Sequence, residues 1–176
     1  MLDIILILAA IAVIIFIIAA AMQPSDFCVT RSGTISAPAS AVFAQVNDLQ
    51  KWDAWSPWAK LDPEARNSFE GPASGIGAIM RWAGNNKVGE GSMTIVESRP
   101  DDFIRFKLEF LKPFTATNTA EFTFTSENDQ TIVTWCMYGK NNFMGKAMGL
   151  IMSCEKMVGG QFEKGLATLK SLAEAL

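Results

Sequence analysis

The chain has 176 residues, 49% of them hydrophobic, and carries 15 basic and 18 acidic side chains but no histidine. This length predicts one domain with a core of its own. Residues 28–176 contain 15 basic and 16 acidic side chains, since two of the 18 acidic residues, Asp3 and Asp26, come earlier. This near-neutral balance argues against nucleic-acid binding, which needs clustered positive charge. Without histidine, neither a zinc site nor a histidine general base is expected, and we predict no metal and no cofactor.

The first predicted element is a membrane-spanning helix over residues 4–22 (IILILAAIAVIIFIIAAAM), which carry no charge. About 20 apolar residues are enough to cross the bilayer core. A cleaved signal peptide normally has a basic start and a shorter apolar run, whereas this chain begins MLD. We therefore favour a retained single-pass anchor with its linker over 1–27, followed by a domain over 28–176. Cleavage near AAAM remains the alternative.

The side of the membrane that holds the domain is left open. Only Arg31 follows the apolar segment within the range where loop charge sets orientation. The partners predicted at this stage are therefore the membrane, through residues 4–22, and whatever the domain binds. Protein partners are left open.

After the linker, FCVTRSGTIS alternates as a first strand, and APASAVFAQVNDLQKW follows as a short helix with Pro38 in its first turn. Between 65 and 140, strand follows strand, separated by turns such as GNNK and SENDQ. No helix-length pattern interrupts them, which predicts an antiparallel meander.

For two of the hairpins, the position of the turn predicts which residues of the two strands pair. A turn centred on residues 85 and 86 pairs Arg81 with Glu90 as an ion pair on the outer face. A turn centred on residues 128 and 129 pairs Phe122 with Trp135 on the apolar face. Each register separates an apolar face from a polar one, as expected of a sheet that is solvated on one side.

The C-terminal segment, 143–176, must cover the apolar face of the sheet. Its apolar residues recur every three or four positions, which predicts one amphipathic helix of about 30 residues with a bend at Gly159 and Gly160.

Three stretches of the chain resemble the SRPBCC superfamily of START-like, or helix-grip, proteins, and within it the polyketide-cyclase-like branch. They are TISAPASAVFAQVNDLQKWDAWSPW, GIGAIMRWAGNNKVGEGSMTI and QFEKGLATLK. The resemblance covers about 28–174. It implies an α+β helix-grip fold, in which a curved antiparallel sheet of six to seven strands wraps around a long C-terminal helix, with short helices after the first strand. It also implies a cavity between the sheet and that helix.

The candidate cavity residues come from the inner face of the sheet and from the helix opposite. Aromatic side chains that fill the space themselves are the alternative. The candidate ligand-binding residues are Trp55, Trp82, Phe106, Asn118, Phe122, Trp135, Met148, Met152 and Glu155. The alternation of side chains along its strand places Asn118 on the inner face, although the same position would also suit a capping residue or a β-bulge. The methionines suit an adaptable apolar surface.

Glu155 stands out because the helical pattern places it between Met152 and Val158, within the apolar stripe. A carboxylate there is costly unless it is paired or neutralised. It is predicted to form a salt bridge or hydrogen bond, with a ligand contact and an acid/base role as the alternatives.

The stretch QKWDAWSPWAK holds three of the five tryptophans, Trp52, Trp55 and Trp58. We interpret it mainly as a lid over one end of the core. A cavity entrance is the alternative, and Trp55 is the ring to test first.

Three functions are compatible with these patterns. The favoured one is a membrane-anchored START-like domain that binds a hydrophobic small molecule or lipid. The others are an enzyme of the cyclase/aromatase kind and a non-catalytic interaction protein with a filled core. No catalytic residue is assigned, since Glu155 has no convergent acid/base partner in the sequence.

Overall fold

The computed structural model describes residues 2–151 and 154–176 and contains one seven-stranded antiparallel sheet. The strands lie in the order β1-β7-β6-β5-β4-β3-β2, so β2 to β7 form a meander and β1 closes onto β7. The strands are β1 (Asp26–Ile35), β2 (Arg66–Glu70), β3 (Ile79–Ala83), β4 (Glu90–Arg99), β5 (Phe103–Lys112), β6 (Ala116–Glu127) and β7 (Gln130–Lys140). The helices are α1 (Leu2–Ala21), α2 (Ala39–Asn47), α3 (Trp52–Trp55), α4 (Phe143–Ile151) and α5 (Cys154–Ala173).

The predicted α+β helix-grip architecture is confirmed. The short helices follow the first strand, with α2 beginning after Pro38, whose φ of −65° suits a helix start. Next comes a single 3₁₀ turn, Leu49–Lys51, where the carboxylate of Asp48 accepts a hydrogen bond from the backbone N–H of Gln50. This turn leads the chain into α3 and so carries the tryptophan-rich stretch onto the apolar side of the sheet.

The register predicted for the β6–β7 hairpin is confirmed: Phe122 pairs with Trp135, and Glu121 with Cys136. Apolar and polar residues alternate strictly along both strands of this hairpin. The turn is short, with Glu127 paired to Gln130.

The register predicted for the β3–β4 hairpin is wrong by two residues. Arg81 pairs with Ser92 instead of Glu90. The turn is longer than expected because Gly84 donates its N–H to the carbonyl of Gly89, which has a φ of +72° and closes a loop of residues 85–88. A shift of two residues keeps every side chain on its predicted face. The expected Arg81–Glu90 ion pair is replaced by Arg81 with Glu70, at 2.8 Å between Nε and Oε1.

The C-terminal segment forms two described helices, α4 and α5, where one helix of about 30 residues was expected. Residues 152 and 153 lie outside the described part of the chain. Helix α5 runs along the inner side of the sheet at β1, and its own Phe162 and Leu169 are fully buried in the core. Gly159 and Gly160 lie inside α5, and the bend proposed there stays a prediction.

Within the described residues, α1 is the one helix long and apolar enough to cross a membrane. A signal sequence near the N-terminus has the same length and apolar composition. Residues 22–25 join α1 to β1, and α1 packs against α4. The retained anchor therefore stays a prediction.

Candidate functional site

A cavity of about 220 Å³ lies between the inner face of the sheet, the tryptophan-rich stretch and α5. Most of its lining is apolar. The lining residues are Trp52, Asp53, Ser56, Trp58, Ala59, Ala65, Asn67, Met80, Trp82, Val88, Met93, Phe106, Leu108, Phe110, Ala120, Trp135, Met137, Val158 and Phe162.

The strand pairing places this cavity near one end of the sheet. We call it the cavity end, where β1 begins at Asp26 and β7 finishes at its partner Lys140. Met137 pairs with Ala120, and Ala120 pairs with Phe106, which gives one row of lining residues across three strands. A second row, closer to the end, runs from Leu108 through Met93 to Met80. Towards the other end, the same face is filled by buried side chains such as Phe124, Val133 and Leu169.

Aromatic rings form the wall where the sheet meets α5. The ring of Trp135 on β7 stacks on Phe162 of α5, with centroids 4.0 Å apart and planes 10° from parallel. The ring of Trp58 meets both of them edge-on, at 5.8 Å and 6.2 Å. On the far side of the cavity, Trp82 meets Phe110 edge-on at 5.8 Å. These contacts hold the rings as cavity walls and leave the space between them open.

Few polar groups reach the cavity. Asn67 donates from its side-chain nitrogen to Oδ1 of Asp53, at 2.9 Å. Within the described part of the chain, Asp53 is the only titratable side chain in the lining. The indole N–H of Trp135 is buried and has no acceptor among the described residues. A site of this kind can bind an apolar molecule and offer it one or two hydrogen bonds.

Of the nine residues predicted for the cavity, three line it: Trp82, Phe106 and Trp135. Two others, Trp55 and Phe122, are fully buried behind the lining. The indole N–H of Trp55 donates to the carbonyl of Gln45 at 3.2 Å, so this ring is part of the core and not of the cavity entrance.

Asn118 and Met148 also lie outside the lining. Asn118 is buried on β6 next to Gly139, and its Oδ1 has no hydrogen-bond donor among the described residues. Met148 lies on α4 with 37% of its surface exposed. Met152, also predicted for the cavity, lies outside the described residues.

Glu155 forms the salt bridge predicted for it, and it does so outside the cavity lining instead of within the apolar stripe of the helix. Its side chain is 55% exposed, and Oε1 lies 2.6 Å from Nη2 of Arg31 on β1. Glu163 receives Nε of the same arginine at 2.6 Å. Glu155 and Glu163 are separated by two helical turns, so they share the side of α5 that faces β1, while Val158 and Phe162 face the cavity. The hydrogen bonds that Arg31 donates to the carboxylates of Glu163 and Glu155 raise the pKa of Arg31.

Several lining residues were missed from the sequence, including Trp58, Phe162 and the polar pair Asp53 and Asn67. The three-residue spacing of the tryptophans was the available signal for Trp58. Asp53 and Asn67 lie on different elements, α3 and β2, and no local pattern joins them.

A family model described as polyketide cyclase / dehydrase and lipid transport matches residues 26–174 of the chain. A comparison with curated proteins gave no match. Among solved structures, the chain is similar to the di-domain ARO/CYC BexL from the BE-7585A biosynthetic pathway, with a TM-score of 0.63 and 19% identity over 90% of this chain and 53% of that one.

For two further solved structures, the match covers nearly the whole of their chains. The Aha1 dimer from Colwellia psychrerythraea matches with a TM-score of 0.61 and 13% identity, over 84% of this chain and 96% of that one. Protein CV1439 from Chromobacterium violaceum matches with a TM-score of 0.60 and 15% identity, over 86% and 99%. At such identities the likeness establishes the fold.

Proposed function

We propose that the domain of this chain, which belongs to the polyketide cyclase / dehydrase and lipid transport family, binds a small hydrophobic molecule in the cavity beside α5. Helix α1 would hold the domain at a membrane. The single observation that carries the proposal is the cavity itself, an open space of about 220 Å³ with a mostly apolar lining.

The size of the cavity supports a small ligand. An apolar protein cavity of about 150 Å³ is large enough to bind benzene. The space beside α5, at about 220 Å³, suits one or two fused rings or part of a single acyl chain. A lipid with two complete chains would need a further opening of the sheet and helix.

The lining explains how such a ligand would be held. Removing apolar surface from water contributes roughly 25 cal/mol for each Å². The rings of Trp58 and Trp82 offer faces and edges on opposite sides. A ligand acceptor that reached the indole N–H of Trp135 would gain a hydrogen bond without displacing a protein partner among the described residues.

The two other functions have less support. A cyclase or aromatase needs an acid/base group at the bound substrate. Glu155 is committed to Arg31 outside the cavity, and the carboxylate of Asp53 is hydrogen-bonded to Asn67. An interaction protein with a filled core would lack the open space that the rings leave beside α5.

The test measures binding of N-phenyl-1-naphthylamine by the full chain in lipid nanodiscs, with empty nanodiscs subtracted. Saturable fluorescence enhancement is expected. Ala120→Leu adds volume to the cavity wall and is expected to weaken binding by about tenfold, which corresponds to about 1.4 kcal/mol. Ala167→Leu makes the same change on the exposed side of α5 and should leave binding unchanged.

Val158→Phe fills the cavity from the helix and guards against misfolding of the Ala120 variant. Both variants are first compared with the unmodified chain by their thermal unfolding midpoints. If both fold and both bind the dye with unchanged affinity, the cavity is not the binding site.

A further inference from the structure

We propose that α4 is a membrane-docking helix. Its exposed apolar side chains, Phe143, Met144, Met148 and Leu150, here called the α4 surface, lie in the bilayer beside α1 and hold the cavity end of the domain against the lipid. This inference rests on the proposed membrane tether, and it adds the source from which the hydrophobic ligand would enter.

The end of α1 and the start of α4 are fixed to each other. The backbone N–H of Asn141 donates to the carbonyl of Ser25 at 2.7 Å. The side chain of Asn141 also donates to the carbonyl of Pro24, at 3.4 Å. The segment that leaves α1 is therefore bonded to the residues that lead into α4.

The two helices also pack on each other. Helix α1 contacts α4, and each helix has one buried alanine, Ala20 in α1 and Ala147 in α4. Apart from Asp3 in its first turn, every exposed side chain of α1 is apolar, as expected of a helix that lipid surrounds. If α1 stands in a bilayer, the helix packed at its Ala20 end lies at the membrane surface.

The exposed large apolar side chains of α4 lie on one side of that helix, around the buried Ala147. At about 100° for each residue, Phe143, Ala147 and Leu150 fall close together, and Met144 and Met148 extend the same arc. Phe143 is 52% exposed and Met144 is 48% exposed. Lys146 and the two glycines of the helix fall outside this arc. A short helix with one apolar side can lie along the membrane interface with that side in the lipid.

The position of α4 gives the docking a consequence for the cavity. Helix α4 follows directly after Lys140, which is at the cavity end of the sheet. The β5–β6 turn lies at the same end, and there Leu111 is 59% exposed and Phe114 is 43% exposed. The cavity end thus carries apolar side chains on two separate elements. Docking through α4 would keep this end, and the ligand space behind it, next to the lipid.

Lipid is favoured over a protein as the occupant because the α4 surface borders α1 directly. A second copy of the chain, or another protein, would have to displace the lipid that surrounds α1 at that level. Each of these occupants would leave a different product in a photo-crosslinking experiment.

The experiment uses the full chain in nanodiscs of phosphatidylcholine and phosphatidylglycerol, with the photo-crosslinker p-benzoylphenylalanine placed singly at three positions. Phe143 tests the α4 surface, and Phe16 on α1 tests the tether. Ile76 is the matched control, because it is 62% exposed in the loop that Gly75 joins to Asn47, away from the cavity end. Adducts are identified by intact-protein mass spectrometry.

Lipid adducts are expected at Phe16 and Phe143, in several-fold higher yield than at Ile76. Adducts at Phe16 without lipid adducts at Phe143 would overturn the docking and leave the tether intact. Adducts of Phe143 with protein, including a second copy of the chain, would overturn it as well. Absence of lipid adducts at Phe16 would remove the tether and with it this inference. Equal lipid yields at Phe143 and Ile76 would show that contact is not confined to the α4 surface.

Discussion

Arg31 occupies the space that a side chain at position 159 would need. A Cβ built on Gly159 would lie 2.2 Å from Nη2 of Arg31. The guanidinium crosses α5 at this glycine and reaches Glu155 on one side and Glu163 on the other. The glycine therefore allows an arginine of the edge strand β1 to bond to two turns of α5. This contact fixes the helix that carries Val158 and Phe162 into the cavity wall.

The first prediction compares two neighbouring glycines of α5. A Cβ at Gly160 meets nothing within 4 Å among the described atoms, so Gly160→Ala is expected to raise the free energy of unfolding by up to about 1 kcal/mol, the helix-propensity difference. Gly159→Ala should raise the free energy of unfolding by less, because the new methyl group displaces Arg31 from the carboxylates of Glu155 and Glu163. Urea denaturation of the full chain, reconstituted in nanodiscs, measures both changes.

The cause is isolated by repeating both changes in an Arg31→Ala background. There the effect of Gly159→Ala should become equal to that of Gly160→Ala, because the guanidinium is no longer present. An unchanged gap between the two variants in that background would show that Arg31 is not the reason for the glycine.

The second prediction concerns stability in acid. The carboxylate of Glu174 accepts the backbone N–H of Ser36 at 2.7 Å, and this hydrogen bond, with the nearby charge of Lys170, lowers the pKa of Glu174. A carboxyl group whose pKa is lower in the folded than in the unfolded chain stabilises the fold above its unfolded pKa. It loses that contribution as the pH falls through its folded pKa.

Glu174→Gln should therefore reduce stability near neutral pH and flatten its decline in acid. The gap in unfolding free energy between the unmodified chain and the variant is expected to be constant above about pH 5.5 and to narrow below about pH 4.5. Denaturant unfolding at a series of pH values measures this. A gap that keeps its size across the acid range would exclude the hydrogen bond to Ser36 as the cause.

The sequence predicted the β6–β7 register correctly because strict alternation and a short turn both favour the same pairing. In the β3–β4 hairpin, alternation is compatible with either of two registers, since a slip of two residues leaves the faces unchanged. The choice depends on the loop at 85–88, where Asp62 accepts the backbone N–H of Asn85 at 2.6 Å. Asp62 is distant in sequence, so the turn residues alone could not reveal the longer loop.

The candidate site was predicted only where strand parity determines it. The alternation of side chains along the strands predicted that Trp82, Phe106 and Trp135 lie on the inner face, and these three line the cavity. It could not distinguish a lining ring from a core ring, so Phe122 was included although it is fully buried behind the lining. For Glu155, the sequence predicted the salt bridge but could not identify its partner or place the side chain outside the cavity. Its partner Arg31 lies 124 positions away, and helical periodicity contains no information about such a contact.

The last prediction separates two tryptophans that are three positions apart. Trp58 is partly exposed and lines the cavity, whereas Trp55 is 1% exposed and lies outside the lining. Trp58→Ala should weaken dye binding, because it removes one wall, and should cost less stability than truncation of the buried ring. Trp55→Ala should lower the free energy of unfolding by about 3–5 kcal/mol, because it leaves a core void.

Dye titrations and urea denaturation on the same samples distinguish the two roles. Trp55→Leu keeps part of the core volume and supplies a folded variant if the alanine variant is too unstable to titrate. Its dye affinity is expected to stay close to that of the unmodified chain. If Trp55→Leu loses affinity while Trp58→Ala keeps it, the entrance to the cavity lies at Trp55 and the positions found for the two rings do not describe the binding state.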